Sequence, residues 1–87
     1  MLIAKEMRWD EELNSPEKIS EIIDKIRAKN PPLNIYLICQ RGERTEIISC
    51  RQAVKDVNKP NELRVIGAAK GRDRAFEMLA EMYREKL

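Results

Sequence analysis

The chain contains no histidine, and this one absence excludes more chemistry than any residue present supplies. Imidazole is the usual general base near neutral pH and the commonest transition-metal ligand. Ser-His-Asp and Cys-His catalysis are therefore closed to this chain alone. Its two cysteines, Cys39 and Cys50, cannot complete a tetrahedral zinc site without histidine, and they are too few for a disulfide scaffold. Aromatic residues make up only 5% of the sequence. Trp9 and Tyr36 are too sparse a pair to form a stacking platform for nucleic-acid bases. Charge of one sign is missing as well: 17 basic side chains face 15 acidic ones, for a net +2. That falls short of the basic excess by which proteins displace counterions from phosphates. There is no long hydrophobic run. The N-terminus, Met1-Leu2-Ile3-Ala4-Lys5-Glu6, is charged by its fifth residue and reads neither as a signal peptide nor as a membrane span. These exclusions lead to the expectation of a cytoplasmic, non-enzymatic protein without cofactor or resident metal.

What is present suffices for one domain over residues 1–87, with 43% hydrophobic and 37% charged residues. Residues 2–9 read as a strand, ended by Asp10-Glu11-Glu12. Ser15-Pro16 is a strong helix start, because serine caps free N–H groups and proline suits the first helical position. Ile19, Ile22, Ile23 and Ile26 then form an amphipathic stripe, and Asn30-Pro31-Pro32 stops the helix. Leu33–Gln40 reads as a central strand and Thr45–Cys50 as its hairpin partner, joined through Gly42 in a type II′ turn. That register pairs Ile35 with Cys50, Leu37 with Ile48 and Cys39 with Glu46. It holds the two cysteines about 13 Å apart at ~3.3 Å per residue, too far for a disulfide. Residues 51–61 read either as a short helix or as a loop ending in a turn at Lys59-Pro60-Asn61. Glu62–Ala69 reads as a fourth strand. A final helix opens at Gly71 or Asp73, with Phe76, Leu79, Ala80, Tyr83 and Leu87 on one side, widened by Ala75, Met78 and Met82.

The expected fold is α+β, a two-layer α/β sandwich of order β-α-β-β-β-α. It has a four-stranded mixed sheet with both long helices on one face. The first two strands, joined through a helix, are expected to be parallel with a right-handed crossover.

Two places stand out as candidate sites. The first is the strand-to-helix junction Val65–Ala75. Gly67, Lys70, Gly71, Arg72 and Arg74 could hold a phosphate or a nucleotide there, since a helix start offers free N–H groups and glycine admits a ligand. The junction matches neither the phosphate loop nor Gly-x-Gly-x-x-Gly. Its glycines and alanines also have a purely structural reading, as close packing and a turn. The second is the sheet face turned away from the helices. With Leu33, Ile35, Leu37 and Ile48 facing the helices, Ile3, Trp9, Tyr36, Ile38 and Ile47 are left as an outward apolar patch, with Met7 and Ile66 beside it. Such a patch suits a homodimer built on a two-fold axis.

Weaker signals are Cys50, whose thiol beside Arg51 could be activated or simply buried; the acidic run Asp10-Glu11-Glu12, a cation binder or a solvated loop; and Arg41, Arg44, Arg64 and Arg72, a weak nucleic-acid surface if they share a face.

The stretch Arg64-Val65-Ile66-Gly67-Ala68-Ala69-Lys70-Gly71, with Arg74-Ala75-Phe76-Glu77-Met78-Leu79, resembles a group of short bacterial proteins common in clostridial genomes. These carry Ile-Gly-x-Ala-Lys-Gly before a final helix. The Ile35-Tyr36-Leu37-Ile38 strand and residues 51–55 are similar too. The resemblance implies the same order of elements and carries over no catalytic residue. Taken together, the sequence points to a small interaction or regulatory module that forms a homodimer. Anion binding at 67–74 and weak nucleic-acid binding stand as alternatives.

Overall fold

A computed structural model of the chain describes residues 2–55 and 64–85, with side chains from Met7 onward. The sheet has four strands: β1 (Leu2–Trp9), β2 (Ile35–Arg41), β3 (Arg44–Ser49) and β4 (Arg64–Lys70). Among the described residues three helices accompany them: α1 (Pro16–Arg27), α2 (Cys50–Lys55) and α3 (Arg72–Glu85), with a 3-10 turn at Glu11–Leu13. The sheet is mixed and the fold is α+β. Residues 51–55 belong to α2. Lys59-Pro60-Asn61, the first two residues of the expected fourth strand and Leu87 lie outside the described residues.

The strand order is β1-β4-β2-β3. β4 runs parallel to β1 and antiparallel to β2, and β2 runs antiparallel to β3. The expectation that the first two strands are parallel neighbours is therefore corrected: β4 lies between β1 and β2, which run in opposite directions. Charge explains who sits inside. Val65–Ala69 and Ile35–Cys39 carry no ionisable charge in their middles, as a strand covered on both faces requires. β1 carries Lys5, Glu6 and Arg8, and β3 carries Arg44 and Glu46, which is how sheet edges resist pairing with other chains.

The helices do not share a face, and this overturns the second expectation. Alternate residues of the sheet enter two separate cores. Ile35, Leu37, Cys39, Ile48, Val65 and Ala68 pack with Leu13, with Ile22 and Ile26 of α1, and with Ala53 of α2; Met7, Trp9 and Val54 lie against that group. On the opposite face Ile38 and Ala69 pack with Ala75 and Met78 of α3, flanked by Tyr36, Ile47, Ile66, Leu79 and Met82. Both faces of β2 are apolar, so each needs a cover, and one helix layer cannot supply two.

The residues read as an open patch are thus split and covered. Tyr36, Ile38 (0% exposed) and Ile47 lie beneath α3, while Trp9 belongs to the α1 side. The side chain of Ile3 lies outside the description. Leu33, expected to face the helices, is 88% exposed instead, because β2 begins only at Ile35.

Local chemistry accounts for the boundaries. The Ser15 hydroxyl accepts the Lys18 N–H at 3.2 Å and Pro16 opens α1. Beyond its end, Asn30 N–H donates to the Lys25 carbonyl and Lys29 N–H to the Ile26 carbonyl. That is a Schellman closure, with Lys29 at φ 60° in the place glycine usually takes. The hairpin turns at Gly42 (φ 63°), and the observed pairs Leu37↔Ile48 and Cys39↔Glu46 are the expected ones; the expected pair of Ile35 with Cys50 is corrected, because β3 ends at Ser49 and Cys50 opens α2.

α3 is rotated relative to its sequence reading. Ala75 and Met78 are buried and Leu79 and Met82 half-buried, whereas Phe76 and Tyr83 are 50% and 53% exposed.

Candidate functional site

The strand-to-helix junction and the acidic run, some sixty residues apart in sequence, form one cluster. The Asp10 N–H donates to the Ala68 carbonyl at 3.0 Å, which extends the β1–β4 ladder by one rung. This fixes the Asp10 side chain over the end of β4. Its carboxylate accepts the Lys70 backbone N–H at 3.3 Å and the Arg74 Nε–H at 3.0 Å, and the residue is only 5% exposed. Arg74 also donates to Glu77 at 3.1 Å and to Glu81 at 3.4 Å. These carboxylates, Asp10 foremost through its hydrogen bond, hold the guanidinium charged even more firmly than usual. The Lys70 ammonium stands 3.8 Å from the Glu12 carboxylate. Asp10, Glu11, Glu12, Lys70 and Arg74 together line a cleft of about 340 Å³.

This arrangement bears on each of the five residues named for an anion. Gly67 is buried. It follows the β-bulge in β4, where Ile38 faces Gly67 and Cys39 faces Val65 with Ile66 between them. A Cβ there would come within 3.2 Å of Ile38 Cδ1 and 3.4 Å of the Arg8 carbonyl oxygen. Its glycine serves the approach of β1 and β2, not of a ligand. Gly71 makes the turn at φ 93°; it donates its N–H to the Asn34 carbonyl at 2.7 Å and accepts the Ala75 N–H. Arg72 is exposed, its guanidinium 5.6 Å above the Phe76 ring. Only Lys70 and Arg74 converge, and three carboxylates line the cleft with them. Asp10 occupies, as part of the chain, the position expected for a bound anion. Nothing in either sequence segment signals that they meet.

The other candidates separate too. Arg41 and Arg44 pair across the β2–β3 hairpin, and Arg64 pairs with Gln40 at the same end of the sheet. Arg72 stands at the opposite end. Strand alternation also puts Arg64 on the α3 side, since Val65 faces α1. The four arginines therefore share no face, and Arg41 lies 3.5 Å from Glu46.

Cys39 and Cys50 are both buried and no disulfide joins them. Cys50 opens α2, where the helix dipole would lower a thiol pKa. Burial outweighs that effect and pushes it up from 9.0 to about 12, the reverse of an activated nucleophile.

The raised value has a stability consequence. Below pH 9 the thiol is neutral in both folded and unfolded chains and contributes no pH dependence. From pH 9 towards about 12 the folded chain keeps a proton that the unfolded chain releases, so stability falls as pH rises, by at most ~1.4 kcal/mol per unit. Alkaline thermal melts of the wild type should therefore drop more steeply than those of Cys50→Ala. Parallel curves would show that Cys50 is not the group responsible.

No helix among the described residues is long and apolar enough to cross a membrane, and no group of three or more His, Cys, Asp or Glu among them is placed to hold a metal ion. No protein-family model matches the chain, and neither a curated protein nor a solved structure matches it.

Proposed function

We propose that the chain is a non-enzymatic interaction module that associates with a second copy of itself through the outer side of α3. One observation carries this reading. The sequence holds four aromatic residues, and two of them, Phe76 and Tyr83, are half-exposed on one stripe of α3, seven positions apart. Ala80 lies between them and is exposed as well. Residues at i, i+4 and i+7 fall on one helix face, and aromatic residues are enriched where proteins meet.

The stripe suits an antiparallel partner of its own kind. A two-fold axis between Leu79 and Ala80 sets Phe76 of one copy beside Tyr83 of the other. The small residue at the crossing lets the helices approach to about 8–10 Å. Outside the stripe the same axis leaves Glu77 about 3 Å along the helix from level with Arg84 of the second copy, a pair of opposite charges repeated twice by symmetry. A single helix pair buries less than the ~1,200–2,000 Å² of a standard interface, so the association is weak and concentration-dependent.

Sedimentation equilibrium from micromolar to near-millimolar protein tests this. The wild type should pass from monomer towards dimer, and Phe76→Glu with Tyr83→Glu should stay monomeric. A wild type that remains monomeric at the highest concentration removes the proposal.

A further inference from the structure

A groove of about 250 Å³ lies where α1, loop 28–34 and the end of β4 meet. Its floor is apolar: Leu13, Ile22 and Ile35, all buried. Its rim is ionic, with Lys18, Lys25 and Lys70 against Glu12 and Glu21. Lys25 is engaged along its own helix by Glu21 at 3.0 Å. The other two lysines converge. Lys18 Nζ donates to the Glu12 carbonyl oxygen at 3.0 Å, and Lys70 Nζ stands 3.8 Å from the Glu12 carboxylate. Lys18 thus holds the Glu12 backbone and Lys70 stands beside its carboxylate, at the end of an apolar trough.

The wall formed by loop 28–34 is the second observation. It presents Leu33, 88% exposed, beside the apolar floor. An isoleucine-lined groove next to an exposed leucine leaves apolar surface in water that a ligand of matching shape would cover. The loop is also rigid. Pro31 and Pro32 fix two φ angles. Lys29 and Asn34 both hold positive φ, at 60° and 62°, a conformation that disfavours non-glycine residues. The Asn34 carbonyl is pinned by the Gly71 N–H at 2.7 Å.

We propose that this groove binds a small amphipathic carboxylate. Its apolar tail lies over Leu13, Ile22 and Ile35 against Leu33. Its carboxylate takes the place of the Glu12 carboxylate beside Lys70, with Lys18 on the same rim. The volume equals about eight waters at ~30 Å³ each, which suits a medium-chain acid rather than a lipid or a nucleotide. The site shares Lys70 and Glu12 with the neighbouring cleft, is independent of the α3 stripe, and requires no dimer.

Octanoate is the probe, followed by methyl and amide NMR titration of the full chain. Octanol supplies the tail without the charge, and acetate the charge without the tail. Octanoate is expected to shift Leu33, Ile22 and Ile35 in a saturable way, and octanol and acetate to bind much more weakly. Lys70→Met should weaken octanoate about three- to five-fold, the worth of one half-exposed ion pair, and Lys18→Met should weaken it less. Glu12→Gln should tighten it by a similar factor, because the resident carboxylate no longer competes. Glu12, Lys18 and Lys70 are all exposed, so these variants keep the fold. The proposal is overturned if octanoate moves no groove resonance, if octanol binds as tightly, or if Glu12→Gln weakens binding.

Discussion

Met78→Ala is expected to lower the free energy of unfolding by about 3 kcal/mol, and Phe76→Ala by no more than about 1 kcal/mol. The two residues are neighbours on one helix, and by size phenylalanine is the greater loss. Their places reverse that order. Met78 is 1% exposed and packs with Ile38, Ala69 and Ala75 on the α3 face of the sheet. Truncation there leaves a cavity beneath the helix that the rigid strands cannot collapse to fill. Phe76 already stands half in water, and removing it forfeits little beyond its contact with the Arg72 guanidinium. In a domain of this size the Met78 change corresponds to a fall in Tm of roughly 15 °C. Urea titrations with equal m-values give the comparison directly. If Phe76→Ala proves the more damaging, the rotational setting of α3 described above is wrong, and with it the outward stripe.

The next largest effect is expected at Asp10. Asp10→Ala should cost about 2–3 kcal/mol, because a buried carboxylate with charge-assisted hydrogen bonds is lost and its donors are left behind. The Lys70 N–H and the Arg74 Nε–H both lose their acceptor at a part-buried site. The penalty stays below that of a fully buried ion pair, since Arg74 keeps Glu77 and Glu81 and is partly exposed. Asp10→Asn retains one acceptor oxygen and should lose less. Equal losses for Asn and Ala would mean that the charge, not the hydrogen bonding, joins β1 to α3. Negligible loss in both would remove Asp10 as the clamp of the junction.

Much of the fold is legible in the residues themselves. Ser15-Pro16 and Asn30-Pro31-Pro32 bound α1 because their effects are local: a hydroxyl on free N–H groups and a ring that cannot continue a helix. Gly42 marks the hairpin for the same reason, and its register follows from the turn. The strand order is also written in the sequence, in the uncharged middles of Val65–Ala69 and Ile35–Cys39, yet it goes unread when consecutive strands are assumed to be neighbours.

The side on which α3 packs is less accessible. β2 is apolar on both faces, so periodicity alone cannot say which face each helix covers. The phase of α3 is ambiguous because Phe76, Tyr83, Met78 and Met82 make an apolar arc wider than one face. The site was the least legible of all. Arg74 and Lys70 look like a basic turn until Asp10 and Glu12, drawn from the far end of the chain, are set against them. A one-chain sequence contains no signal for such a distant meeting.

The central position of β4 governs how the molecule is made. Among the described residues β1 has one partner strand, and Leu2 meets Arg64, sixty-two residues later. During synthesis, every length of chain ending before β4 holds an unattached first strand and a hairpin whose inner edge is bare. Neither piece can dock on the other, because the strand that belongs between them has not yet been translated. Pairings this far apart in sequence are slow to form, and bare apolar edges are where growing chains stick to one another. The last third of the protein is therefore the keystone that turns two sticky fragments into one sheet, and the acid–base clamp of Asp10 and Arg74 closes only after it arrives.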